Sequence, residues 1–160
     1  MEQEVRMMTV LTAAPTLADR ARQIADRSAD WLHRVRLDPS GRWYERLHSD
    51  DDHEVWIICW LPGQATGFHD HGGSAGAFVV ALGTLEELSV TDDGTVRAWD
   101  LRTDDHHAFG ENYIHDVRNS SSAPAISVHV YSPPLSTINR YDLTPEGELV
   151  TLLTENEEDW

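Results

Sequence analysis

The hydrophobic and polar positions along the chain change period near residue 40. Before it, Leu17, Ala21, Ile24, Ala25, Trp31, Leu32 and Val35 fall largely on one helical face, with Arg20, Arg22, Asp26 and Arg27 elsewhere. Thr16, followed three residues later by Asp19, has capping-box spacing. The pattern predicts an amphipathic helix from Pro15, or two helices with a break near Ser28, covering a sheet. Asp38-Pro39-Ser40-Gly41 is turn-forming. Short β-patterned runs follow at 43–48, 54–61, 78–82, 85–90, 95–101, 106–109, 113–115, 125–131, 138–141 and 149–153. The run EVWIICWL is too apolar to be wet on both faces, and Asp92-Asp93-Gly94-Thr95 is a hairpin signal. Residues 1–14 carry no firm pattern, and the acidic tail 154–160 is expected to fray. Many closely spaced short strands predict an all-β sandwich or barrel.

Composition narrows the function classes. A chain of 160 residues that is 40% hydrophobic and 25% charged fits one soluble domain, and no repeat or linker divides it. The net charge of −16 repels nucleic-acid phosphates and anionic membranes, so neither is an expected partner. The sequence has no apolar run long enough for a membrane span and no signal-peptide pattern at its N-terminus. A single cysteine, Cys59, rules out an intrachain disulfide framework, and a cytoplasmic location is expected.

The candidate chemistry lies in GQATGFHDHGGSAGAFVVALG, residues 63–83. On a strand, His69 and His71 would project to one face, and imidazole is a common ligand for transition metals. The spacing of this stretch resembles the first motif of the cupin superfamily, except that Gly76 replaces the usual glutamate ligand. His115 and Asn119 match the end of the second motif, although Gly110 and Asn112 stand where a Pro-x-Gly often occurs. In a cupin jelly-roll barrel, His115 would complete a three-histidine face, leaving coordination positions open as catalytic sites do. Ser127, His129 and Tyr131 alternate on one strand, so a buried face would hold three polar groups in need of partners. That row reads as a structural network or, beside a metal, as an oriented phenol. His33, His48, His53, His106 and His107 have no partner pattern and are assigned surface or packing roles.

Together, Tyr44-Glu45-Arg46, Cys59-Trp60, His69-Asp70-His71, His115 with Val117 and Asn119, and SVHVYSPP from Ser127 resemble the cysteine dioxygenase family over about residues 43–142. The resemblance implies one iron(II) per chain on His69, His71 and His115, and a Ser127–His129–Tyr131 relay with the Tyr131 hydroxyl near the metal. It implies Arg46 as the residue pairing with the substrate carboxylate, Tyr44 beside that pair, and a cis Ser132-Pro133 bond. The expected activity is oxidation of L-cysteine by O2 to cysteine sulfinate, in a monomeric enzyme. Some bacterial relatives carry glutamine at the position of Arg46 and prefer 3-mercaptopropionate, so Arg46 points to cysteine. The mammalian thioether between a cysteine and the site tyrosine is not expected, because Gly76 holds that position and Cys59 aligns elsewhere. The expected organisation is one cupin domain over 1–160, with a helical cover at about 15–37 and a core at about 42–153. The alternatives are a dioxygenase of another small thiol, such as 3-mercaptopropionate, other oxygenase chemistry, or a non-catalytic metal-binding cupin.

Overall fold

Leu17–Asp26 forms the amphipathic helix α1, and its first turn is closed by the predicted capping box between Thr16 and Asp19. The helix stops at Arg27, and the 3-10 turns Ser28–Asp30 and Leu32–Arg34 carry the chain onward, so the break falls at Ser28. The computed structural model describes residues 16–156, and the unpatterned residues 1–14 lie outside them.

Eleven strands follow. The first sheet holds β1 (Trp43–Ser49), β2 (Glu54–Trp60), β4 (Ala75–Leu82), β7 (His106–Phe109) and β9 (Ala125–Ser132), in the order β1-β2-β9-β4-β7. The second holds β3 (Phe68–His69), β5 (Leu85–Val90), β6 (Val96–Leu101), β8 (Ile114–Arg118), β10 (Thr137–Leu143) and β11 (Leu149–Asn156), in the order β11-β10-β3-β8-β5-β6. The named pairings are antiparallel. Thr154–Asn156, expected to fray, instead continue β11 opposite β10, because paired backbone there satisfies its own hydrogen bonds. The last four residues lie outside the described part.

Period-two alternation sorts the central strands into two faces. Ile58, Trp60, Phe78, Val80 and Ala125 of the first sheet meet Leu85, Leu101 and Val117 of the second in the interior. On the opposite face Val55, Val79, Val128 and Val130 pack under Ala21 of α1, and Ile57, Cys59 and Ile126 pack under Trp31. This explains why EVWIICWL is apolar throughout: one face of β2 lines the interior and the other lies under the helical cover. Among the described residues no helix is long and apolar enough to cross a membrane.

The two faces are separable by mutation. Ile57 is fully buried on the cover side. Ile57→Ala is expected to cost about 2–5 kcal/mol in urea unfolding. Metal content of the folded protein should be unchanged; a loss would mean that the cover helps to position the interior site.

Candidate metal centre

His69 ends β3 directly opposite His115 on β8, and His71 lies two residues further along. One ring nitrogen from each lies within 4.8 Å of the other two, and all three side chains are buried. Nε2 of His71 and Nε2 of His115 are 3.2 Å apart. The route to this arrangement differs from the expected one. β3 is only two residues long, so His71 is not placed by strand alternation. It is placed by a turn that Asp70 pins to β10: Oδ1 accepts from the backbone N–H groups of Gly72 (3.1 Å) and Asn139 (3.0 Å), and Oδ2 from the Tyr141 hydroxyl (2.7 Å). Gly72 has φ +58°, and a Cβ there would sit 2.4 Å from the Thr137 carbonyl oxygen, so only glycine permits the close approach. The His71 ring is then held between Phe109 and Tyr131, stacked on each at centroid distances of 4.5 and 5.3 Å.

Hydrogen bonding fixes the tautomers of two of the three rings. His69 Nδ1 donates to the Gly67 carbonyl (2.9 Å), and His115 Nδ1 donates to Glu87 Oε2 (2.8 Å). In each ring the Nε2 lone pair is left free, as metal ligation requires. Burial, reinforced by the neighbouring imidazole of His115, holds His69 and His71 well below the usual histidine range, so both are neutral. Three neutral nitrogen donors with converging lone pairs fit a divalent first-row cation.

Glu87 on β5 is the main support of the centre and carries no motif. It is fully buried, with one oxygen on His115 and the other hydrogen-bonded to Nδ1 of His107 on β7. Burial alone would push its carboxyl upward, but the bonds from His107 and His115 more than offset this and hold it at about 2. His107, assigned a surface or packing role from sequence, braces a buried carboxylate, and Glu87 raises its pKa in return. His48, Asp50 and His53 form a second cluster of possible ligands, but there Asp50 caps its own turn through the backbone N–H groups of Asp52 and His53.

Ser127, His129 and Tyr131 project from β9 into the same interior, and all three are buried. Trp60 Nε1 donates to Ser127 Oγ (2.8 Å), Ser127 Oγ lies 2.7 Å from His129 Nε2, and His129 Nδ1 lies 3.4 Å from the Tyr131 hydroxyl. An indole N–H can only donate. With Trp60 on one Ser127 lone pair, the serine proton has His129 Nε2 as its buried acceptor. His129 then carries its own proton on Nδ1, facing the Tyr131 oxygen, and the phenol proton is free to point into the cavity. Burial, reinforced by the neighbouring imidazole of His115 and the charge of Arg42, lowers His129 to about 3, and burial pushes the Tyr131 phenol up, so both stay neutral. Trp60, the head of this row, enters the sequence reading only as part of the Cys59-Trp60 match, and its donor role depends on pairing across β2 and β9.

The cavity has a volume of about 270 Å³. That is below the roughly 300–1,000 Å³ of pockets for drug-sized ligands. His69, His115, His129 and Tyr131 line it, together with Ile58, Val117, Leu135 and Ile138 and the polar groups of Arg42, Tyr44, Arg140 and Glu155. Of the two residues expected at the substrate, Tyr44 lines the cavity and Arg46 does not. The Arg46 side chain is 52% exposed, lies over the Trp56 ring, and has Nη1 3.7 Å from Glu54 Oε2. Glu54 is 2% exposed and also accepts from the Leu135 N–H, so Arg46 is drawn toward a buried carboxylate that needs a counter-charge. The Ser132-Pro133 bond is cis. Gly76 pairs with Tyr131 across β4 and β9, and a Cβ there would come within 3.0 Å of the Tyr131 ring. Cys59 lies on the far side of the sheet under Trp31, so its thiol does not approach that ring.

The family model for cysteine dioxygenase type I matches residues 20–144. Cysteine dioxygenase type 1 of Homo sapiens is 32% identical over 104 residues, covering 55% of this chain and 48% of that protein. The Rattus norvegicus protein of the same name is 31% identical over 98 residues, with the same coverage. The chain thus spans about half the length of the curated relatives it matches. Among solved structures, a protein of Thermus thermophilus superposes with a TM-score of 0.57 at 23% identity, covering 64% of this chain and 94% of that one. An RmlC-like cupin protein of Desulfovibrio desulfuricans gives 0.55 at 19% identity, covering 63% and 91%. At these identities the structural matches speak for the fold alone, which is the all-β cupin barrel with an N-terminal helix.

Two outcomes test this construction. Glu87→Gln removes the charge that orients His115, and metal affinity, measured by competition with a chromogenic chelator, should fall about 10–100-fold. Unchanged affinity would show that Glu87 does not support the ligand. In metal-free protein, His129 is lowered from 6.5 to about 3, so between those values the unfolded chain binds a proton that the folded one does not. Stability should therefore fall as pH falls through that window. His129→Asn should flatten the slope, and an equal slope in both proteins would contradict a buried neutral His129.

Proposed function

The chain belongs to the cysteine dioxygenase type I family, and on that premise we propose that it is a non-haem iron(II) thiol dioxygenase that converts L-cysteine and O2 to cysteine sulfinate. The observation that carries this reading is a three-histidine cluster, two of whose members line one small cavity together with a proton-donating phenol. A metal-storage or sensing cupin has no need of a tyrosine whose proton is aimed by a buried Trp–Ser–His row. The reaction adds both atoms of O2 to sulfur: the thiol loses four electrons, O2 gains them, and a sulfinic acid results. Iron(II) held by His69, His71 and His115 would supply the redox chemistry and the acidification of the thiol.

The chain's own residues would do the rest. His69 and His115, fixed as Nδ1–H tautomers, present neutral donors and leave the cation's charge uncancelled. Ile58, Val117, Leu135 and Ile138 give the cavity apolar walls that limit water. Tyr131, kept protonated by burial, offers a hydrogen bond to the oxygen and sulfur atoms that gain charge as the reaction proceeds. A second reading, 3-mercaptopropionate as the thiol, is favoured by one feature of the wall. Glu155, the carboxylate lining the cavity, is already paired with Arg140 (2.6 Å), so no free carboxylate selects the amine of cysteine.

The test is O2 uptake by iron(II)-loaded protein offered L-cysteine and 3-mercaptopropionate in parallel, with the sulfinate identified by mass spectrometry. Stoichiometric uptake with cysteine is expected, and uptake with neither thiol would overturn the reading. Tyr131→Phe should lower turnover by roughly 100-fold with iron still bound. Loss of iron instead would make Tyr131 a structural residue.

A further inference from the structure

The ligand histidines are not backed alike. His69 Nδ1 donates to the Gly67 carbonyl (2.9 Å), a neutral acceptor. His115 Nδ1 donates to Glu87 Oε2 (2.8 Å), a carboxylate. A charged acceptor pulls on the imidazole proton and pushes electron density onto Nε2, which makes the ring a stronger donor. That push favours the ferric ion over the ferrous one, because the higher charge gains more from it. The proposed chemistry starts from iron(II), so a bare carboxylate behind His115 would work against it.

The structure holds a counterweight. The other oxygen of Glu87 is hydrogen-bonded to Nδ1 of His107. A carboxylate only accepts, so His107 is the donor. Two donors then share one negative charge, and the part left to pull on His115 is smaller. The meeting of two sheets places the donor. Alternation on β5 turns Glu87 inward, on the same side as Leu85 and Ser89. β7, the last strand of the first sheet, brings His107 to it from a register position opposite Phe78 of β4. Trp99 of β6 stands edge-on against the His107 ring at 5.2 Å and 83°. His107 also lines a second cavity between β6 and β7, with Arg22, Asp100, Asp104 and Asp105. It does not line the cavity of Tyr131, and its path to the metal centre runs through Glu87.

We infer that His107 is a positioning residue that, through Glu87, limits electron donation by His115 and keeps the bound iron ferrous. The inference rests on the iron(II) dioxygenase reading for the nature of the metal. Its structural basis, the hydrogen-bonded path from His107 through Glu87 to His115, is independent of that reading. With His107 gone, Glu87 has one bond fewer and draws harder on the His115 proton.

The experiment is a mediated redox titration of the iron-loaded protein without thiol, followed by the ferric EPR signal, at about pH 8, above the carboxylate range. His107→Leu should shift the ferric-to-ferrous ratio toward ferric by about tenfold, a fall of about 59 mV in midpoint potential. Glu87→Gln should shift it the other way. His107→Gln keeps an N–H donor and should restore most of the unmodified value, a rescue that a merely structural role does not predict. In the Glu87→Gln background His107→Leu should do little, since its route to the metal is gone. His107→Ala gives the same reading if His107→Leu does not fold. An unchanged or raised potential in His107→Leu or His107→Ala would overturn the inference. So would an equal shift with and without the Glu87 carboxylate. If the unmodified protein oxidises neither L-cysteine nor 3-mercaptopropionate while these shifts hold, the dioxygenase reading fails and the role of His107 stands.

Discussion

Three imidazoles cannot meet inside an apolar barrel as cations, and the rest of this structure is arranged around keeping them neutral and aimed. A ring is fixed as one neutral tautomer where an acceptor stands behind its Nδ1, as it does for two of the three. The Gly67 carbonyl serves His69. Behind His115 the acceptor is Glu87, a carboxylate at 0% exposure that is tolerable only because His107 bonds its second oxygen. Removing one member of such a buried set leaves another unpaired, and an orphaned buried charge usually costs about 3–5 kcal/mol. His115, the carboxylate and the solvent-side histidine thus stand or fall together.

The same logic extends across the cavity. The Trp60–Ser127–His129–Tyr131 row is polar throughout and buried throughout, and it is consistent because every proton in it has an acceptor until the last. The free proton belongs to Tyr131, which lines the same cavity as His69 and His115. A polar strand face of this kind destabilises a β-sandwich unless it is fully bonded. The cover supplied by α1 and Trp31 on the opposite face of β2 and β9 offsets part of that cost with apolar burial.

Much of this was legible in the sequence. The capping box at Thr16, the break at Ser28, the hairpin at Gly94 and most strands follow from periodicity and turn chemistry, because those signals are local. His69, His71, His115, Ser127, His129 and Tyr131 were legible because motif spacing marks them, although His71 reaches its place through the Asp70 turn and not through strand alternation. Glu87 and His107 were not legible. One is a glutamate in an ordinary alternating strand, and the other is one of two adjacent histidines; only the order of strands in two different sheets brings them together. Arg42 and Arg46 differ by the partners their side chains find, the Glu54 carboxylate for Arg46 and the Trp60 ring for Arg42, and partner choice across strands leaves no trace in spacing.

The most direct measurement is anomalous X-ray scattering at the iron edge from crystals of the iron(II)-loaded protein. One strong peak per chain, bounded by Nε2 of His69, His71 and His115 and facing Tyr131 across the cavity, is the expected result. An absent peak, or one at the His48–Asp50–His53 cluster, would contradict the three-histidine centre and, with it, the dioxygenase reading built on that centre.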